Sequence, residues 1–369
     1  MFTPERILLM IFGLTFAVGV ADYFCGGKLN LGKKFTDGLQ TFGPLFLTMA
    51  GFLVLSPWLA RVLAPAASAL FESLGADPAL AAGMLLANDN GAYPLAQSLA
   101  KVPAAGGFGG MLLGSIVGAN IVSMPLIFVL LDKEDHAYYF KGLMYGIIAM
   151  PLALFIGGLS ARYDVMFILR QMPPLLILAV TAALLLYLVP ELLTRALRIF
   201  AKAMEFISLS GITFALFMEL AGKPLSGITP VGEAVKIIGF IAVMLGGVYV
   251  FTELLTRLLK KILSLGKQNK EFDETSAIGF LTTLANAIPT MAALKKMSPK
   301  GKMLNCAFLS CGAYALGDHL AYCSAEASHL IFPMLTTKFT GAIIATILAA
   351  IFWREKDERL KSKGYCKTC

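Results

Sequence analysis

Residues 79–99 read ALAAGMLLANDNGAYPLAQSL, an apolar segment with Asn88-Asp89-Asn90-Gly91 at its centre and Pro94 just beyond. A carboxylate at mid-bilayer costs about 2.5–3.5 kcal/mol on insertion scales, so such a group faces a cavity, a partner or a ligand. Gly91 and Pro94 allow the helix to break, which frees backbone groups that need polar partners. Many transport proteins build a cation site at the bilayer midplane from such a broken helix. The stretch therefore predicts a membrane protein with a central site for a positively charged solute.

The composition of the chain extends this prediction to the whole molecule. Of its 369 residues, 57% are hydrophobic and 15% are charged, whereas soluble domains carry about 25% charged residues. The net charge of +8 lies in the loops between apolar runs, so we expect a lipid bilayer and no nucleic acid as its partner. The sequence lacks the motifs of metalloproteases, phosphate-binding loops and serine hydrolases. We therefore predict no enzymatic activity, no catalytic residues, no cofactor and no metal site.

Apolar stretches of spanning length recur along the chain. Two of them, 77–100 and 275–294, are interrupted by Asn and Pro, and basic clusters flank the second on both sides. Because both flanks then favour the cytoplasm, we expect this stretch to enter the membrane and return. The sequence thus predicts an all-α polytopic membrane protein of about nine spanning helices and two broken re-entrant hairpins. The uninterrupted stretches are 7–25, 40–60, 106–131, 142–160, 174–190, 204–221, 235–256, 303–323 and 333–353.

The distribution of basic residues also predicts the orientation of the chain. Most of the 31 Lys and Arg fall in segments that this arrangement places in the cytoplasm, and Lys338 is among the few that it places outside. By the positive-inside rule, the N-terminus is then outside and the C-terminus inside the cell. The first hairpin enters the membrane from the outside and the second from the cytoplasm.

The order of these segments predicts two halves of inverted topology. Residues 1–160 hold two spans, a hairpin and two spans, and residues 161–203 form a link. Residues 204–353 repeat the pattern before a charged cytoplasmic tail at 354–369. Inverted repeats of this kind place the solute site where their two broken segments meet. An ungapped offset of 196 residues aligns Gly83 with Gly279, Leu85 with Leu281, Asn90 with Asn286, Ala96 with Ala292 and Pro103 with Pro299.

Within the first broken stretch, Asp89 is the strongest candidate for binding a cation. Its carboxylate would pair with an ammonium group, while Asn88 and Asn90 offer amide acceptors and donors to neighbouring polar atoms. Asn and Asp are also favoured helix N-caps, and capping is the alternative explanation of this triplet. A cap alone does not need three consecutive polar residues, so we favour binding.

A second group of candidate binding residues lies in the stretch 303–323. Asp318 and His319 are predicted in mid-span, where they would form a structural pair, contact the solute or relay a proton, since histidine titrates near neutral pH. Asn286, in the second broken stretch, is their natural companion. Tyr93 offers an aromatic face to a cation and Asn120 offers an amide in mid-span, although each would serve equally in packing.

Four glycines, Gly106, Gly110, Gly114 and Gly118, follow one another at four-residue spacing. Small residues at this spacing let helices approach closely, so we predict that the stretch 106–131 packs against the adjacent hairpin. The same ladder would suit a contact between two copies of the chain. The oligomeric state therefore stays open, a homo-oligomer included.

Several strings resemble one bacterial family along essentially the full length of the chain. They are GADPALAAGMLLANDNGAYPLAQSLA, the following GSIVGANIVSMPLIF, the loop Asp132-Lys-Glu-Asp-His136 and the later ALGDHLAY. In these strings the chain resembles the bacterial ethanolamine permeases of the EutH type. The resemblance implies uptake of ethanolamine across the bacterial cytoplasmic (inner) membrane, by alternating access, for an ethanolamine-degrading pathway. It implies no particular binding residues, and those named above rest on the physical argument.

The chemistry of ethanolamine agrees with this resemblance, and alternatives remain. A small primary amine is mostly protonated at neutral pH, and one carboxylate with neighbouring amides suits an ammonium with a hydroxyl two carbons away. The nearest alternative is a sodium-coupled transporter of another small solute, such as an amino acid or a nucleoside. An intramembrane enzyme that uses Asp318 and His319 and a membrane sensor are alternatives of other classes. Passive, proton-coupled and sodium-coupled transport are not distinguished by the sequence.

Overall fold

The computed structural model describes residues 3–223, 225–264 and 272–353, which are almost entirely helical. A π-helical segment, Gly107–Gly118, joins α6 to α7 in one continuous span. The helices are Pro4–Phe24 (α1), Leu31–Leu39 (α2), Phe42–Ser73 (α3), Leu80–Leu85 (α4), Tyr93–Leu99 (α5), Pro103–Gly106 (α6), Ala119–Leu130 (α7), His136–Ser160 (α8), Val165–Leu188 (α9), Pro190–Leu220 (α10), Val231–Ser264 (α11), Glu274–Ala285 (α12), Ala287–Ala293 (α13), Pro299–Gly312 (α14), Asp318–Glu326 (α15) and Ile331–Ile351 (α16).

The described ranges contain eight helical stretches that are long and apolar enough to cross a membrane. The chain is therefore an all-α polytopic membrane protein, as predicted. The number is eight rather than about nine because the expected span 303–323 is divided. Its first part belongs to α14, which ends at Gly312, and its second part belongs to the short helix α15. The predicted tail at 354–369 lies outside the described residues.

The first broken stretch forms a re-entrant hairpin, and Asp77 closes it. One carboxylate oxygen of Asp77 accepts a hydrogen bond from the backbone N–H of Lys101 at 3.1 Å, and the other accepts from that of Ala79 at 2.9 Å. The chain therefore leaves the hairpin at the point where it entered. The backbone N–H of Asp77 in turn donates to the Gln171 side chain on α9 at 2.9 Å. We refer to residues 77–101 as hairpin 1.

The second broken stretch is closed in the same way by Asp273. Its carboxylate accepts hydrogen bonds from the backbone N–H groups of Ser276 at 2.9 Å and Ser298 at 2.6 Å. Burial alone would raise the pKa of Asp273, but these donors hold it below its ordinary value. Inside the hairpin, the hydroxyl of Thr290 on α13 donates to the carbonyl of Gly279 on α12 at 3.1 Å. We refer to residues 273–298 as hairpin 2.

The two hairpins enter the molecule from opposite ends. The base of hairpin 2 leads into α14, whose buried Lys302 pairs with Asp135 directly before α8. The base of hairpin 1 leads into the π-helical segment, where Phe108 contacts Gly158 near the end of α8. Asp135 and Gly158 are separated by about 35 Å along a helix that rises about 1.5 Å per residue. The tips of the hairpins therefore point towards each other from opposite sides.

The glycine ladder packs against hairpin 1, as the sequence predicts. A Cβ atom at Gly110 would lie 2.6 Å from the Cα of Tyr93, and one at Gly114 would lie 3.1 Å from the backbone nitrogen of Asn88. At Gly118 a side chain would collide with the carbonyl of Leu86. Both arms of hairpin 1 therefore pack along the helix face that bears the four glycines, where the backbones of the helix and the hairpin approach closely.

The helices form two packed groups that do not coincide with the predicted halves. Helices α1–α3 pack with α10 and α11, and we name these five the scaffold group. The two hairpins pack with α6, α7 and α14, while α9, α14 and α16 pack with α8, and we name these elements together with α15 the hairpin group. Hairpin 1 also packs against α3, and hairpin 2 and α15 pack against α11. Each group takes helices from both halves of the chain. The expected boundary at residue 203 also falls inside α10.

Candidate functional site

The tip of hairpin 1 lies at the centre of the protein. Leu86 and Ala87 are extended, and the chain then turns through Asn88–Ala92, where Gly91 has φ +94°. All five residues of this turn are buried. Because two residues beside it are extended and Gly91 is left-handed, the turn brings the side chains of Asn88 and Asp89 to the end of the hairpin rather than onto a helix face.

A second break faces this tip, between α14 and α15. Asp318 and His319 are not in mid-span, as was expected, but in the first turn of α15, because α14 ends at Gly312 and five residues separate the two helices. The backbone N–H groups of Tyr314 and Leu316 donate to the carbonyls of Thr283 and Leu284 in hairpin 2, at 3.0 and 2.7 Å. Hairpin 2 therefore holds the break open by satisfying backbone groups that a continuous helix would have paired internally.

The two breaks bring three candidate residues together. The Nε2 atom of His319 lies 3.8 Å from an Oδ atom of Asp89. One potential ligand atom from each of Asp89, Asp318 and His319 lies within 4.8 Å of the other two. His319 is 2% exposed and Asp89 is 4% exposed, while Asp318 is partly exposed. We refer to these three residues as the central cluster.

Several buried polar atoms around the central cluster have no hydrogen-bond partner among the described residues. They are Oδ1 of Asn88, Oδ1 of Asp89, Nδ1 of His319 and the hydroxyl of Tyr322. Buried polar groups are normally paired, since an unpaired one costs on the order of 1–3 kcal/mol. These four acceptors or potential acceptors therefore suit a ligand that donates hydrogen bonds and carries positive charge.

Aromatic side chains line the side of the central cluster that faces hairpin 2. The ring of Tyr314 lies 5.6 Å from that of His319, and its backbone has φ +62°, which is unusual outside glycine. Tyr249 on α11 interacts electrostatically with Asp318 and accepts a hydrogen bond from the amide of Asn286 at 3.4 Å. Aromatic faces and phenol oxygens are favourable neighbours for an ammonium group.

The remaining predicted residues occupy different places. Asn286 lies at the tip of hairpin 2, where its Oδ1 caps α13 through the N–H of Ile288 at 2.9 Å. Asn90 is buried in the tip of hairpin 1. Tyr93 follows that tip and is partly buried. Asn120 donates to the carbonyls of Ile116 and Ser310, at 2.8 and 2.6 Å, and so joins the span 103–130 to α14.

One charged residue of this region was assigned wrongly from the sequence. Lys338, expected in an outer segment, lies inside α16 and is 1% exposed. Its Nζ atom donates to the carbonyl of Ser115 in the π-helical segment at 2.6 Å, and it interacts electrostatically with Asp89 and Asp318. The sequence does indicate that Lys338 is buried, because it lies within the hydrophobic run Ile331–Ile351, and a charge inside an apolar span faces the protein interior.

The fold and the site define the class of this protein: a polytopic membrane protein with a cluster of two carboxylates and an imidazole where hairpin 1 meets the break between α14 and α15. Comparison with known proteins then gives the family. Residues 5–352 match the family model described as "Ethanolamine utilisation protein, EutH". The chain belongs to this family.

Curated relatives match the chain over nearly its whole length. It is 35% identical to the "Probable ethanolamine permease EutH" of Listeria monocytogenes, over 97% of both chains. It is 34% identical to the protein of the same description from Escherichia coli, over 95% of both chains. The "Uncharacterized protein YxeR" of Bacillus subtilis is also 34% identical, over 90% of both chains. No solved structure matches the chain.

Proposed function

We propose that this protein transports ethanolamine, in its ammonium form, across the bacterial cytoplasmic membrane. The observation that carries the proposal is the central cluster, whose buried carboxylate Asp89 lacks a hydrogen-bond partner for one of its oxygens. A buried carboxylate favours a cation over a neutral solute. The names of the relatives from Listeria monocytogenes and Escherichia coli supply the particular amine.

In this proposal each member of the site has a separate task. Asp89 pairs with the ammonium group, and Asn88 offers its unpaired amide oxygen to an ammonium proton or to the hydroxyl. Asp318 and His319 complete the opposite wall from the start of α15. Tyr314 and Tyr249 offer aromatic surface to the cation. Asn90, Asn286 and Tyr93 support the two tips, while the hydrogen bonds of Asn120 favour a structural role.

Alternating access would follow from the arrangement of the two hairpins. The two hairpins enter from opposite ends, and the hairpin group contacts the scaffold group through α3, α10 and α11. We propose that the hairpin group moves against the scaffold group and carries the bound amine with it. Asp77 and Asp273 close the two hairpins. They are 196 residues apart, the same offset that aligns the other matching positions of the two halves. This correspondence supports the proposed inverted repeat.

The proposed orientation has the N-terminus outside and the C-terminus inside. The support is the positive charge around hairpin 2, where the exposed Lys295 and Lys296 follow α13. A cysteine at position 296, in a variant lacking Cys25, Cys366 and Cys369, tests the orientation. A membrane-impermeant maleimide should leave it unlabelled in intact cells and label it in opened ones. Labelling in intact cells would reverse the proposal.

Uptake of labelled ethanolamine into proteoliposomes tests the proposed function. The wild type should show saturable uptake of unaltered solute, and Asp89→Asn should raise KM by at least about 30-fold, because one partner of a buried charge pair is lost. Asp164→Asn is the matched control, since Asp164 only caps α9 and asparagine caps equally well. Saturable uptake by an unimpaired D89N would remove Asp89 from the site. Absence of uptake by folded wild type would overturn the transport proposal itself.

The same assay separates the modes of coupling. Uptake at acidic and neutral pH, with and without a sodium gradient, distinguishes passive, proton-coupled and sodium-coupled transport. Recovery of chemically altered solute would instead favour the intramembrane enzyme. Binding of ethanolamine without flux would favour the sensor.

A further inference from the structure

Lys338 is a buried charge that the proposed binding of an ammonium does not use. It lies in the interior of α16, its Nζ atom donates to the carbonyl of Ser115, and it is 1% exposed. Ser115 adjoins Gly114, which packs against the backbone of Asn88 in the tip of hairpin 1. The ammonium of Lys338 is therefore bound to the residue next to Gly114, on the span that packs against the tip of hairpin 1.

Lys338 is attached to the π-helical segment Gly107–Gly118. In the part of this segment that turns into α7, the carbonyls of Ser115 and Ile116 accept hydrogen bonds from the side chains of Lys338 and Asn120. Such segments arise where a helix ladder is locally opened, and they concentrate at functional sites. The span that fixes the position of Lys338 is thus the same span whose glycines pack against hairpin 1.

The formal charges of Asp89, Asp318 and Lys338 sum to a single negative charge. Lys338 interacts electrostatically with both Asp89 and Asp318. By formal charge, and with a neutral His319, one lysine balances one of the two carboxylates and leaves the other for the ligand. In a low-dielectric interior, the ligand that removes such an excess is one monovalent cation, and a second positive charge is strongly opposed.

We infer that Lys338 determines the charge selectivity of the central cluster, so that the site accepts one monovalent cation and excludes dications. This inference rests on the proposed binding of an ammonium at Asp89. The excluded ligands are of two chemical classes, namely organic diammonium ions and divalent metal ions. The second class is relevant because the carboxylates and imidazole of the central cluster are close enough to hold a metal ion. Lys338 makes that ligand set unfavourable without contacting the solute.

Removal of the lysine charge should therefore broaden the selectivity of the site. Lys338→Gln keeps a side-chain N–H for the carbonyl of Ser115 and removes the charge. In the wild type, 1,3-diaminopropane, a dication at neutral pH, should compete with labelled ethanolamine at least about 100-fold more weakly than unlabelled ethanolamine does. In K338Q this disadvantage should fall by at least tenfold.

A charge-restoring variant separates selectivity from structure. Lys338→Gln combined with Asp318→Asn again has one negative charge, so the preference for the monoamine should return. Lys302→Gln is the matched control, since Lys302 is also a buried lysine but pairs with Asp135 at the far end of α8. Its loss should lower stability and leave the ratio of the two competitors unchanged.

Binding of Co²⁺ to the purified protein gives a second readout that does not depend on transport. K338Q should bind Co²⁺ with a visible absorption band that disappears in K338Q/D89N, and the wild type should bind at least tenfold more weakly. Folded K338Q that gains neither Co²⁺ nor competition by 1,3-diaminopropane would overturn the inference. Gain of Co²⁺ binding in a protein whose wild type shows no ethanolamine uptake would retain the charge assignment and overturn the proposed transport.

Discussion

Gly91 shows how a single residue decides the geometry of the site. It turns the chain at the tip of hairpin 1 with φ +94°, and a Cβ atom there would lie 2.7 Å from the Cβ of Phe52 on α3. Two separate conditions therefore exclude a side chain, the left-handed backbone and the close approach of another helix. The left-handed turn at Gly91 and its close contact with α3 together place Asn88 and Asp89 at the end of the hairpin.

Gly91→Ala should destabilise the protein by about 1–3 kcal/mol, because it adds backbone strain and a steric contact with Phe52. Gly239→Ala is the matched control. Gly239 lies inside α11 and has open space around it, so alanine there should be neutral or stabilising by up to about 1 kcal/mol. Thermal unfolding in detergent compares the two variants with the wild type. Equal midpoints for both variants would contradict the geometry of the tip.

At the scale of elements, the two hairpins are held by the same device. Asp77 and Asp273 each accept the backbone N–H of the residue that leaves the hairpin and that of a residue inside it. Hydrogen bonds to a charged acceptor contribute about 1.5–3 kcal/mol each on removal. The carboxylate therefore fixes both the start of a hairpin arm and the distance between its two ends.

Asp77→Ala and Asp273→Ala should each lower the free energy of unfolding by about 3–6 kcal/mol, since at least two hydrogen bonds to the carboxylate are lost in each case. The asparagine variants should lose less, because an amide oxygen still accepts a bond. Thermal unfolding and the rate of proteolysis inside each hairpin measure the effect. Unchanged proteolysis of hairpin 1 in D77A would show that other contacts close it.

The loss of stability caused by Asp273→Ala should also depend on pH. The N–H donors hold the folded-state pKa of this carboxyl below its ordinary value, so its stabilising contribution is present above about pH 4. The contribution is lost as the pH falls through the lowered pKa. The stability difference between wild type and D273A should therefore shrink between pH 5 and pH 3, values that bracket the ordinary pKa of about 4.

The sequence predicted the elements whose signals are local. Hairpin 1 was predicted from the polar triplet together with Gly91 and Pro94, a local combination that disfavours a continuous apolar helix. The break at 313–317 was missed because no proline marks it. That break depends on carbonyls of hairpin 2 that accept the N–H groups of Tyr314 and Leu316, and such long-range bonds leave no pattern in one sequence.

The candidate site was predictable to a similar extent. Asp89, Asp318 and His319 were expected as intramembrane polar residues, and the structure brings these three together. Lys338 was missed because counting charges by segment treats every lysine near a span as a loop residue. Its buried position depends on the carbonyl of Ser115, more than two hundred residues away in the chain.

At the scale of the whole molecule, the division into scaffold and hairpin groups suggests what moves. The central cluster belongs to the hairpin group, while Phe52 and Tyr249 of the scaffold group contact the two tips. Movement between the groups would change the contacts at the tips and leave the central cluster intact. Movement between the predicted halves, 1–160 and 204–353, would instead separate Asp89 from His319.

These two motions can be distinguished by cross-linking. Helices α11 and α15 pack against each other across the interface of the two groups, where the carboxylates of Glu233 at the start of α11 and Glu326 at the end of α15 repel each other. Joining cysteines at these positions with a short bifunctional maleimide should abolish ethanolamine uptake, because the hairpin group can no longer move against the scaffold. The loss should appear in the maximal rate, since the linker lies away from the central cluster.

The matched control is a cross-link within the hairpin group that nevertheless joins the two predicted halves. The hydroxyls of Ser160 on α8 and Thr336 on α16 lie 3.3 Å apart, so cysteines there can be joined. Movement between the scaffold and hairpin groups leaves this distance unchanged, and uptake should persist. Movement between the halves would change it, and uptake should stop. The opposite result would reverse the assignment of the moving unit. In that case uptake would be lost in the joined Ser160→Cys/Thr336→Cys variant and retained in the joined Glu233→Cys/Glu326→Cys variant.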